Sequence, residues 1–370
     1  MTHRERVVRA INHQEPDRIP IDMMGNATML ADQTYFDLCD YLGITPGRPF
    51  RNGSTANYYD ERILEHFDVD FRRVFLAQAR DNNTSPHENG SFSDIWDIRY
   101  KKEGNYVNIV GNPLIDVESP AAIDEYPWPQ AHDMFSARGL AQIAETLYEQ
   151  GDYAIVARNP LTEGFIDRAV QLMGMSDFLV ALAAKPRTAR RLLKHLLDIY
   201  KDVYGMFLDA VGPYVQIVET GDDIGTQESL LISPEMYREF IKPLELELYA
   251  LIHEKAPHAS LFRHVDGAIF ELIPDLIDVG VDILNPVQTS AKGMDASKLK
   301  KAYGSLTFHG GIEKMACPVD QLIAEIKEKI DILAPGGGYI FASCNHIINV
   351  RPGNIEAMFK TAREYGRYAK

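Results

Sequence analysis

The sequence predicts an α/β fold, namely a (β/α)8 TIM barrel with N-terminal helical and β-hairpin additions. Short apolar runs alternate along the chain with longer segments of helical periodicity. The eight strand candidates end near Met24, Ala77, Ala157, Val218, Arg263, Leu284, Phe308 and Ala342. A spacing of roughly 30 residues per strand–helix unit is typical of this barrel. No glycine-rich dinucleotide motif follows any of these runs, which disfavours a doubly wound open sheet.

The clearest strand–helix–strand unit lies in residues 258–288. Residues 260–263 and 281–284 are short apolar runs, and residues 268–278 between them carry apolar side chains at helical spacing. Such short links predict a right-handed crossover between two parallel strands. Ligands bind outside the carboxyl ends of the strands in folds of this kind. The residues that follow the two strands are His264, Asp266 and Asn285.

The N-terminal part departs from this rhythm. Residues 19–24 are the predicted first barrel strand, and residues 71–77 are the second. Beyond them, alternating residues at 93–100 and 106–110 flank the turn Glu103-Gly104-Asn105, which predicts an antiparallel hairpin inserted in the larger fold. We therefore expect a single barrel domain over residues 1–370, with a hairpin insertion at about residues 91–112.

Composition excludes some classes of function. The formal net charge of −15 argues against a nucleic-acid partner, whose phosphates require a basic face. Three scattered cysteines are too few for a disulfide framework, so we expect a reducing, cytoplasmic location. Because the chain starts with polar residues and has no apolar run of about 18 residues, we expect no signal peptide and no membrane span. A homodimer is left open by the sequence.

On a barrel, the polar side chains after the strands converge on one mouth. For proton transfer or substrate positioning we expect Asp222, Asp223, Asp266 and His309. For substrate binding we expect Asp22, Asn26, Arg158 and Asn285. The candidate metal ligands are His264, Cys344 and Glu219, a nitrogen, sulfur and oxygen set that zinc accepts with one position left open for chemistry.

Each of these residues also has a less specific explanation. Asp222 and Asp223 suit a solvated loop or a helix N-cap, and Cys344 suits a small buried side chain. The carboxylates and histidines are equally compatible with metal-free general acid–base chemistry.

Several segments along nearly the whole chain resemble the uroporphyrinogen decarboxylase superfamily. They are Pro16-Asp17-Arg18-Ile19-Pro20, Tyr126-Pro127-Trp128-Pro129, Gly221-Asp222-Asp223-Ile224-Gly225-Thr226-Gln227, Ser233-Pro234-Glu235-Met236-Tyr237, residues 264–288 and Ala334-Pro335-Gly336-Gly337-Gly338-Tyr339. The resemblance implies a (β/α)8 barrel and an enzyme of the decarboxylase branch or of the corrinoid-linked methyltransferase branch.

The second branch is the more similar. True decarboxylases have an arginine-rich segment near the first strand that binds substrate carboxylates, whereas this chain has Asp22-Met23-Met24-Gly25-Asn26 there. The methyltransferases bind zinc through a His-x-Cys motif and a later cysteine. His264 and Cys344 match that pattern, but Asp266 replaces the first cysteine. The third ligand is then either Asp266 or Glu219, and the alternative role of Asp266 is to orient His264. Because an oxygen ligand makes a harder site, we expect a methoxyl substrate to suit it better than a thiol.

The resemblance therefore implies a methyltransferase that moves a methyl group between a small methylated compound, methoxyl or thiol, and a corrinoid carried by a partner protein, with help from zinc. Two alternatives stay open. One is a uroporphyrinogen-type decarboxylase of tetrapyrrole biosynthesis. The other is a ligand-binding barrel that has lost its chemistry.

Overall fold

A curled parallel sheet organises the molecule. The computed structural model describes residues 1–25, 28–46, 59–79, 84–103 and 106–368. Its strands are β1 (Phe71–Val74), β2 (Ala77–Gln78), β3 (Ser85–Pro86), β4 (Ser91–Ser93), β5 (Arg99–Glu103), β6 (Tyr106–Gly111), β7 (Phe135–Ser136), β8 (Ala154–Ala157), β9 (Ile217–Gly221), β10 (Ser260–His264), β11 (Ile283–Asn285), β12 (Thr307–His309) and β13 (Tyr339–Ile340). Within the described residues, β1 and β8 to β13 pair in parallel in that order.

Helices separate these strands along the chain. They are α1 (His3–Ile11), α2 (Asp32–Leu42), α3 (Glu61–His66), α4 (Pro120–Asp124), α5 (Ala131–Met134), α6 (Leu140–Gln150), α7 (Phe165–Met173), α8 (Met175–Ala184), α9 (Pro186–Val211), α10 (Pro234–Met236), α11 (Lys242–Lys255), α12 (Ile273–Asp278), α13 (Ala296–Tyr303), α14 (Val319–Leu333) and α15 (Pro352–Tyr365). A π-helical turn (Tyr237–Ile241) precedes α11, and a 3-10 turn (Phe270–Leu272) precedes α12. None of the described helices is long and apolar enough to cross a bilayer.

This alternation of parallel strands and helices confirms the predicted α/β barrel. The strands follow one another around the sheet in chain order, as expected for repeated right-handed crossovers. The long helix α9 packs against α6, α7, α8 and α11 and buries one continuous apolar face.

The two edges of the sheet meet at residues 19–24, the predicted first strand. There the structure has a single parallel bridge, between Ile21 and Phe341, and not a full strand. Phe341 N donates to Pro20 O at 2.9 Å, and Asp70 N donates to Ile21 O at 3.0 Å. The ladder stays short because Pro20 has no N–H and because Ile21 N donates to the Asp70 carboxylate at 2.7 Å. The eighth position of the barrel is thus filled by a bridge.

Side chains inside the curled sheet form two layers. Because successive residues of a strand point to opposite faces, every second residue faces inward. The first inward layer is apolar and is formed by Phe71, Ala154, Val156, Ile217, Phe262, Ile283 and Ile340, together with Val7 of α1. The inward positions nearer the carboxyl ends are polar, and they form the site described below.

A second, antiparallel sheet lies between β1 and α4, with the order β3-β4-β5-β6. The predicted hairpin corresponds to β5 and β6, and the structure adds two strands before it. Residues 93–100 do not form one strand, because β4 ends at Ser93 and β5 begins at Arg99. Asp94 Oδ1 accepts hydrogen bonds from Trp96 N and Ile98 N and thereby stabilises a turn between them.

Candidate metal centre

The polar layer of the barrel follows from strand alternation. Five of its seven residues lie at an inward position two residues after a member of the first inward layer, and Asp22 and His309 follow Pro20 and Thr307 in the same way. Thus Arg73 follows Phe71, and His264 follows Phe262. We call the polar layer the set Asp22, Arg73, Arg158, Glu219, His264, Asn285 and His309. Register supports this grouping, since His264 pairs with Asn285 in neighbouring strands.

Four charged members of the polar layer neutralise one another. Arg73 donates to both carboxylate oxygens of Asp22, at 2.8 and 2.5 Å, and to Glu219 Oε1 at 3.1 and 3.2 Å. Arg158 Nη1 donates to Glu219 Oε2 at 2.8 Å. Burial opposes ionisation of Asp22, but the Arg73 guanidinium and the bond from His309 outweigh it and hold the pKa of this carboxyl far below its usual range. The two arginines are therefore paired with two carboxylates inside the barrel.

The remaining members form a chain of hydrogen bonds. Asp22 Oδ2 lies 2.9 Å from His309 Nε2. His309 Nδ1 lies 2.8 Å from Asn285 Nδ2, and Asn285 Oδ1 lies 2.7 Å from His264 Nδ1. Asp22, His309 and Asn285 are each at most 1% exposed, so water does not compete for these contacts. The chain leads from the interior to His264, whose other nitrogen faces the mouth.

Over the described parts of the chain, one group of His, Cys, Asp and Glu side chains is arranged so that it could hold a metal ion. It consists of Asp223, His264 and Asp266, whose ligand atoms all lie within 4.8 Å of one another. His264 Nε2 is 3.7 Å from Asp223 Oδ1 and 3.9 Å from Asp266 Oδ2. Donor atoms around a tetrahedral zinc lie about 3.4 Å apart at the usual bond lengths, which is close to the two separations measured from His264.

Two further observations favour a cation at this position. Asp266 Oδ1 is buried, and no described donor forms a hydrogen bond to it. Burial raises the pKa of Asp266, an effect that His264 opposes and Asp223 reinforces. A half-buried carboxylate beside a second carboxylate is destabilised by repulsion, which a divalent cation would relieve. One imidazole and two carboxylates also form a donor set that zinc accepts, so these residues fit a metal.

Loop contacts fix the two carboxylates relative to each other. Asp266 N donates to Asp223 Oδ1 at 2.9 Å, and Ala268 N donates to Thr226 O at 2.8 Å. The loops after β9 and β10 approach so closely that a Cβ on Gly267, at φ +93°, would lie 2.6 Å from Thr226 O. A side chain at Gly267 is therefore excluded both by contact and by its left-handed backbone.

Asp222, predicted to transfer protons or position substrate, lies behind this group. Its two carboxylate oxygens accept from Ile166 N and Asp167 N at 2.9 Å each, at the N-terminus of α7. This contact requires Gly164, since a Cβ there would lie 2.1 Å from the Asp222 Cβ. Asp222 is 2% exposed and corresponds to the helix-cap alternative considered for it.

The candidate metal group in the structure differs from the expected set of His264, Cys344 and Glu219. Glu219 is held by Arg73 and Arg158 and has no exposed side-chain surface. Burial raises the pKa of the Cys344 thiol well above its usual range, and the acidic side chains near it, Glu313 first, act in the same direction. Cys344 also does not belong to the group of described ligand atoms that lie within 4.8 Å of one another. Asp223, expected in proton transfer, and Asp266, expected there or as the alternative to Glu219, complete the group with His264.

The other predicted residues are accounted for as follows. Asp22, Arg158 and Asn285, expected to bind substrate, and His309, expected to transfer protons, all belong to the polar layer. Arg158 is the most exposed of these four, with 12% of its side chain accessible. Asn26 lies outside the described residues.

Sequence reasoning missed two residues of the site. Arg73 was passed over within an apolar strand, although its position two residues after Phe71 places it on the inward face. Asp167, in the first turn of α7, accepts from Asp223 N at 3.1 Å. Burial, and then the neighbouring Asp223, raise the pKa of Asp167 to about 6. No sequence signal identifies Asp167, because only the folded loops bring it to Asp223.

Comparison with known proteins agrees with this architecture. The profile of the family described as "Uroporphyrinogen decarboxylase (URO-D)" matches residues 161–365, more than half of the chain. The chain belongs to the uroporphyrinogen decarboxylase family. The matched region contains Asp223, His264 and Asp266. No curated protein sequence matches the chain.

Among solved structures, a methyltransferase from Methanosarcina mazei superimposes with a TM-score of 0.67 at 15% identity, covering 99% of both chains. This member of the uroporphyrinogen decarboxylase family therefore shares the fold of that methyltransferase over its whole length. The catalytic core of xylanase A (TM-score 0.35, 13% identity, 65% of this chain and 85% of that one) and xylanase XynB from Paenibacillus barcinonensis (0.33, 9%, 60% and 74%) align too loosely to bear on fold or function.

Proposed function

We propose that this protein is a methyltransferase that moves a methyl group between a small methylated compound and a corrinoid protein, with a zinc ion held by Asp223, His264 and Asp266. The observation that carries the proposal is the convergence of these three ligand atoms at the barrel mouth, with no described hydrogen-bond donor on Asp266 Oδ1. Likeness of the fold to a methyltransferase, and the match of His264 to the zinc motif of the corrinoid-linked enzymes, support the reaction class.

The protein's own residues would divide the work by position. Zinc, when bound, acts as a Lewis acid toward the oxygen or sulfur that carries the methyl group. The two carboxylates balance the charge of the ion, while a neutral His264 adds none. Asp223 keeps 41% of its side chain exposed and faces the mouth, so it is the group placed to touch a substrate. The partner must reach the same mouth, and we expect a transient interface there.

The decarboxylase alternative is weaker on electrostatic grounds. A porphyrinogen with many carboxylates requires guanidinium groups that are free to pair with them. Arg73 already pairs with Asp22 and Glu219, and Arg158 pairs with Glu219. The polar layer therefore offers little uncompensated positive charge to such a substrate.

Metal content and methyl transfer test the proposal together. Protein purified after growth with zinc should contain about one zinc per chain by mass spectrometry, and His264→Ala should lose it. His132→Ala, at an exposed position on α5, is the matched control and should keep the metal. Incubation with a cobalt(I) corrinoid protein and methoxylated aromatic compounds should change the corrinoid absorbance to that of the methylated form.

Each result has a defined meaning. Zinc-free protein that stays zinc-free after metal addition contradicts the metal site. Zinc-loaded protein that methylates no corrinoid with any methoxyl or thioether donor contradicts the methyltransferase. Turnover of a tetrapyrrole that chelators do not affect would favour the decarboxylase. Binding of a methylated compound without turnover would favour a barrel that only binds ligands.

A further inference from the structure

We propose that Asn285, His309 and Asp22 are positioning residues, which hold His264 in the tautomer protonated at Nδ1 so that its Nε2 lone pair faces Asp223 and Asp266. The part of this inference that concerns metal affinity rests on the proposed metal site. The part that concerns the tautomer stands on the hydrogen-bond geometry alone.

The direction of the hydrogen bonds can be derived from the ionised end. Asp22 is held as a carboxylate by the Arg73 guanidinium and can only accept, so His309 Nε2 donates to it across 2.9 Å. A neutral His309 then has a lone pair on Nδ1, and Asn285 Nδ2 donates to that atom across 2.8 Å. This turns Asn285 Oδ1 toward His264, whose Nδ1–H donates across 2.7 Å.

If the hydrogen bonds ran in the opposite direction, His264 would lose the Nε2 lone pair that could bind a metal ion. A doubly protonated His309 would donate from Nδ1, and Asn285 would have to turn its amide so that the oxygen accepts that bond. The Asn285 NH2 would then face His264 Nδ1, which would have to accept, leaving the proton on Nε2. Arg73 disfavours this arrangement, because its two bonds to Asp22 already balance the carboxylate that would otherwise stabilise a charged His309.

The three positioning residues are held rigidly, which allows them to keep His264 in one tautomer. Asn285, His309 and Asp22 are buried to 1% exposure or less, and they come from three separate segments of the barrel wall. The ring of Phe262 packs edge-on against His309, with centroids 5.1 Å apart, and so restricts its rotation. A histidine that binds a metal through one ring nitrogen generally donates from the other, and loss of that partner costs roughly 10- to 100-fold in metal affinity.

The tautomer can be measured without any metal. In metal-free protein labelled with ¹⁵N-histidine, assigned by comparison with His264→Ala, the NMR shifts should show His264 protonated at Nδ1 and His309 protonated at Nε2. A spectrum of the wild-type protein with His264 protonated at Nε2 would overturn the proposal. This measurement needs no variant at Asn285 and does not depend on zinc binding.

Variants test the consequence for the metal. Asn285→Leu should shift His264 toward the Nε2-protonated form and lower zinc affinity, measured by competition with a chromophoric chelator, by about 10- to 100-fold. Asn285→Asp, whose carboxylate still accepts from His264 Nδ1, should keep the Nδ1–H tautomer. The control is Asn354→Leu, which removes an equally buried amide that bonds Met315 O and Cys317 O and should leave zinc affinity within about twofold.

The outcomes separate the two proposals. Zinc affinity that is the same in Asn285→Leu as in the wild type contradicts the positioning role while leaving the metal site intact. Absence of zinc binding in the wild type, with the expected tautomer in its spectrum, contradicts the proposed function and leaves the hydrogen-bond chain standing.

Discussion

At His264 the two ring nitrogens have different surroundings, and the difference explains why this histidine can serve a metal. Nδ1 is 2.7 Å from a buried amide oxygen, whereas Nε2 faces two carboxylates, at 3.7 and 3.9 Å. A neutral imidazole that donates from Nδ1 keeps Nε2 free as a ligand. In the proposed site, Asp266 would contribute an oxygen where the methyltransferases that the chain resembles have cysteine, and the site would be harder than a thiolate site.

The proposed set of metal ligands can be tested by substituting single residues. Asp223→Asn and Asp266→Asn should each weaken zinc binding at least tenfold, because each removes a charged ligand atom from the group. Cys344→Ala should leave zinc affinity within about twofold, since Cys344 does not belong to the group of Asp223, His264 and Asp266. Loss of zinc in Cys344→Ala with retention in both asparagine variants would restore the set of His264, Cys344 and Glu219.

Residue positions after strands were largely predictable from the sequence, whereas residue roles were not. The expected convergence of His264, Asn285, His309 and Asp22 is observed, because parallel strands bring their carboxyl ends together. The conformation of the loop backbone decides which carboxylates lie next to His264 in the candidate metal group. The periodicity of the sequence does not predict the conformation of a loop.

At the scale of elements, α7 connects the loop after β8 to the metal group. Asp222 accepts from the first N–H groups of α7, and Asp167 in the same turn contacts Asp223 N. Burial, and then the neighbouring Asp167, raise the pKa of Asp222 well above its usual range, and the two N–H groups of α7 act in the opposite direction. Gly164 permits this packing because any side chain there would overlap Asp222.

Gly164→Ala should therefore destabilise the fold by about 1–3 kcal/mol, since the added methyl group meets backbone and Cβ atoms that cannot move freely. A Cβ at this position would lie 2.4 Å from Gly221 O, the last residue of β9. Gly353→Ala in α15 meets nothing within 4 Å, and it should stabilise by a few tenths to about 1 kcal/mol. Urea unfolding of both variants checks this, and equal stabilities would argue against the close packing of Gly164.

Two elements show where patterns of hydrophobicity mislead. Residues 19–24 have the composition of a strand but form one bridge, because Pro20 and the bond from Ile21 N to Asp70 interrupt the ladder. Residues 93–100 alternate like a strand but contain a turn held by Asp94. In both cases a side chain competes with the ladder for backbone N–H groups, and alternation alone does not detect that.

On the scale of the whole molecule, Asp70 connects the segments at which the two edges of the sheet meet. Its carboxylate has no exposed surface and accepts from Arg6 at 2.6 Å, from Arg18 at 2.7 Å and from Ile21 N at 2.7 Å. It also contacts His3 Nδ1 at 2.7 Å. These contacts join α1, the bridging segment and the start of β1, so one buried charge network closes the fold at the end away from the mouth.

Asp70→Asn should lower the free energy of unfolding at neutral pH by about 3–5 kcal/mol, because it leaves buried guanidinium groups without their charged partner. Burial works against ionisation of Asp70, but the bond from His3 and the charges of Arg18 and Arg6 prevail and lower its pKa. The wild-type advantage is therefore complete above the unfolded value of about 3.9 and is lost as the pH falls through the lower folded value.

Urea titrations at pH 7 and at successively lower pH provide the measurement. The difference between wild type and Asp70→Asn should be largest at pH 7 and shrink below about pH 4. Asp202→Asn, at an exposed position on α9, should stay within about 0.5 kcal/mol of the wild type throughout. A difference for Asp70→Asn that does not depend on pH would contradict a role for its charge.

The two arginines and two carboxylates of the polar layer cancel in charge, so the barrel wall contributes little long-range field to solvent at the mouth. An approaching molecule therefore meets a potential set mainly by the acids on the surrounding loops. Those loops lie outside the strand ladders, and their sequences can change without disturbing the register of the sheet. Selectivity for the charge of a ligand and stability of the scaffold can thus vary independently, which explains how one barrel can accept different chemistries.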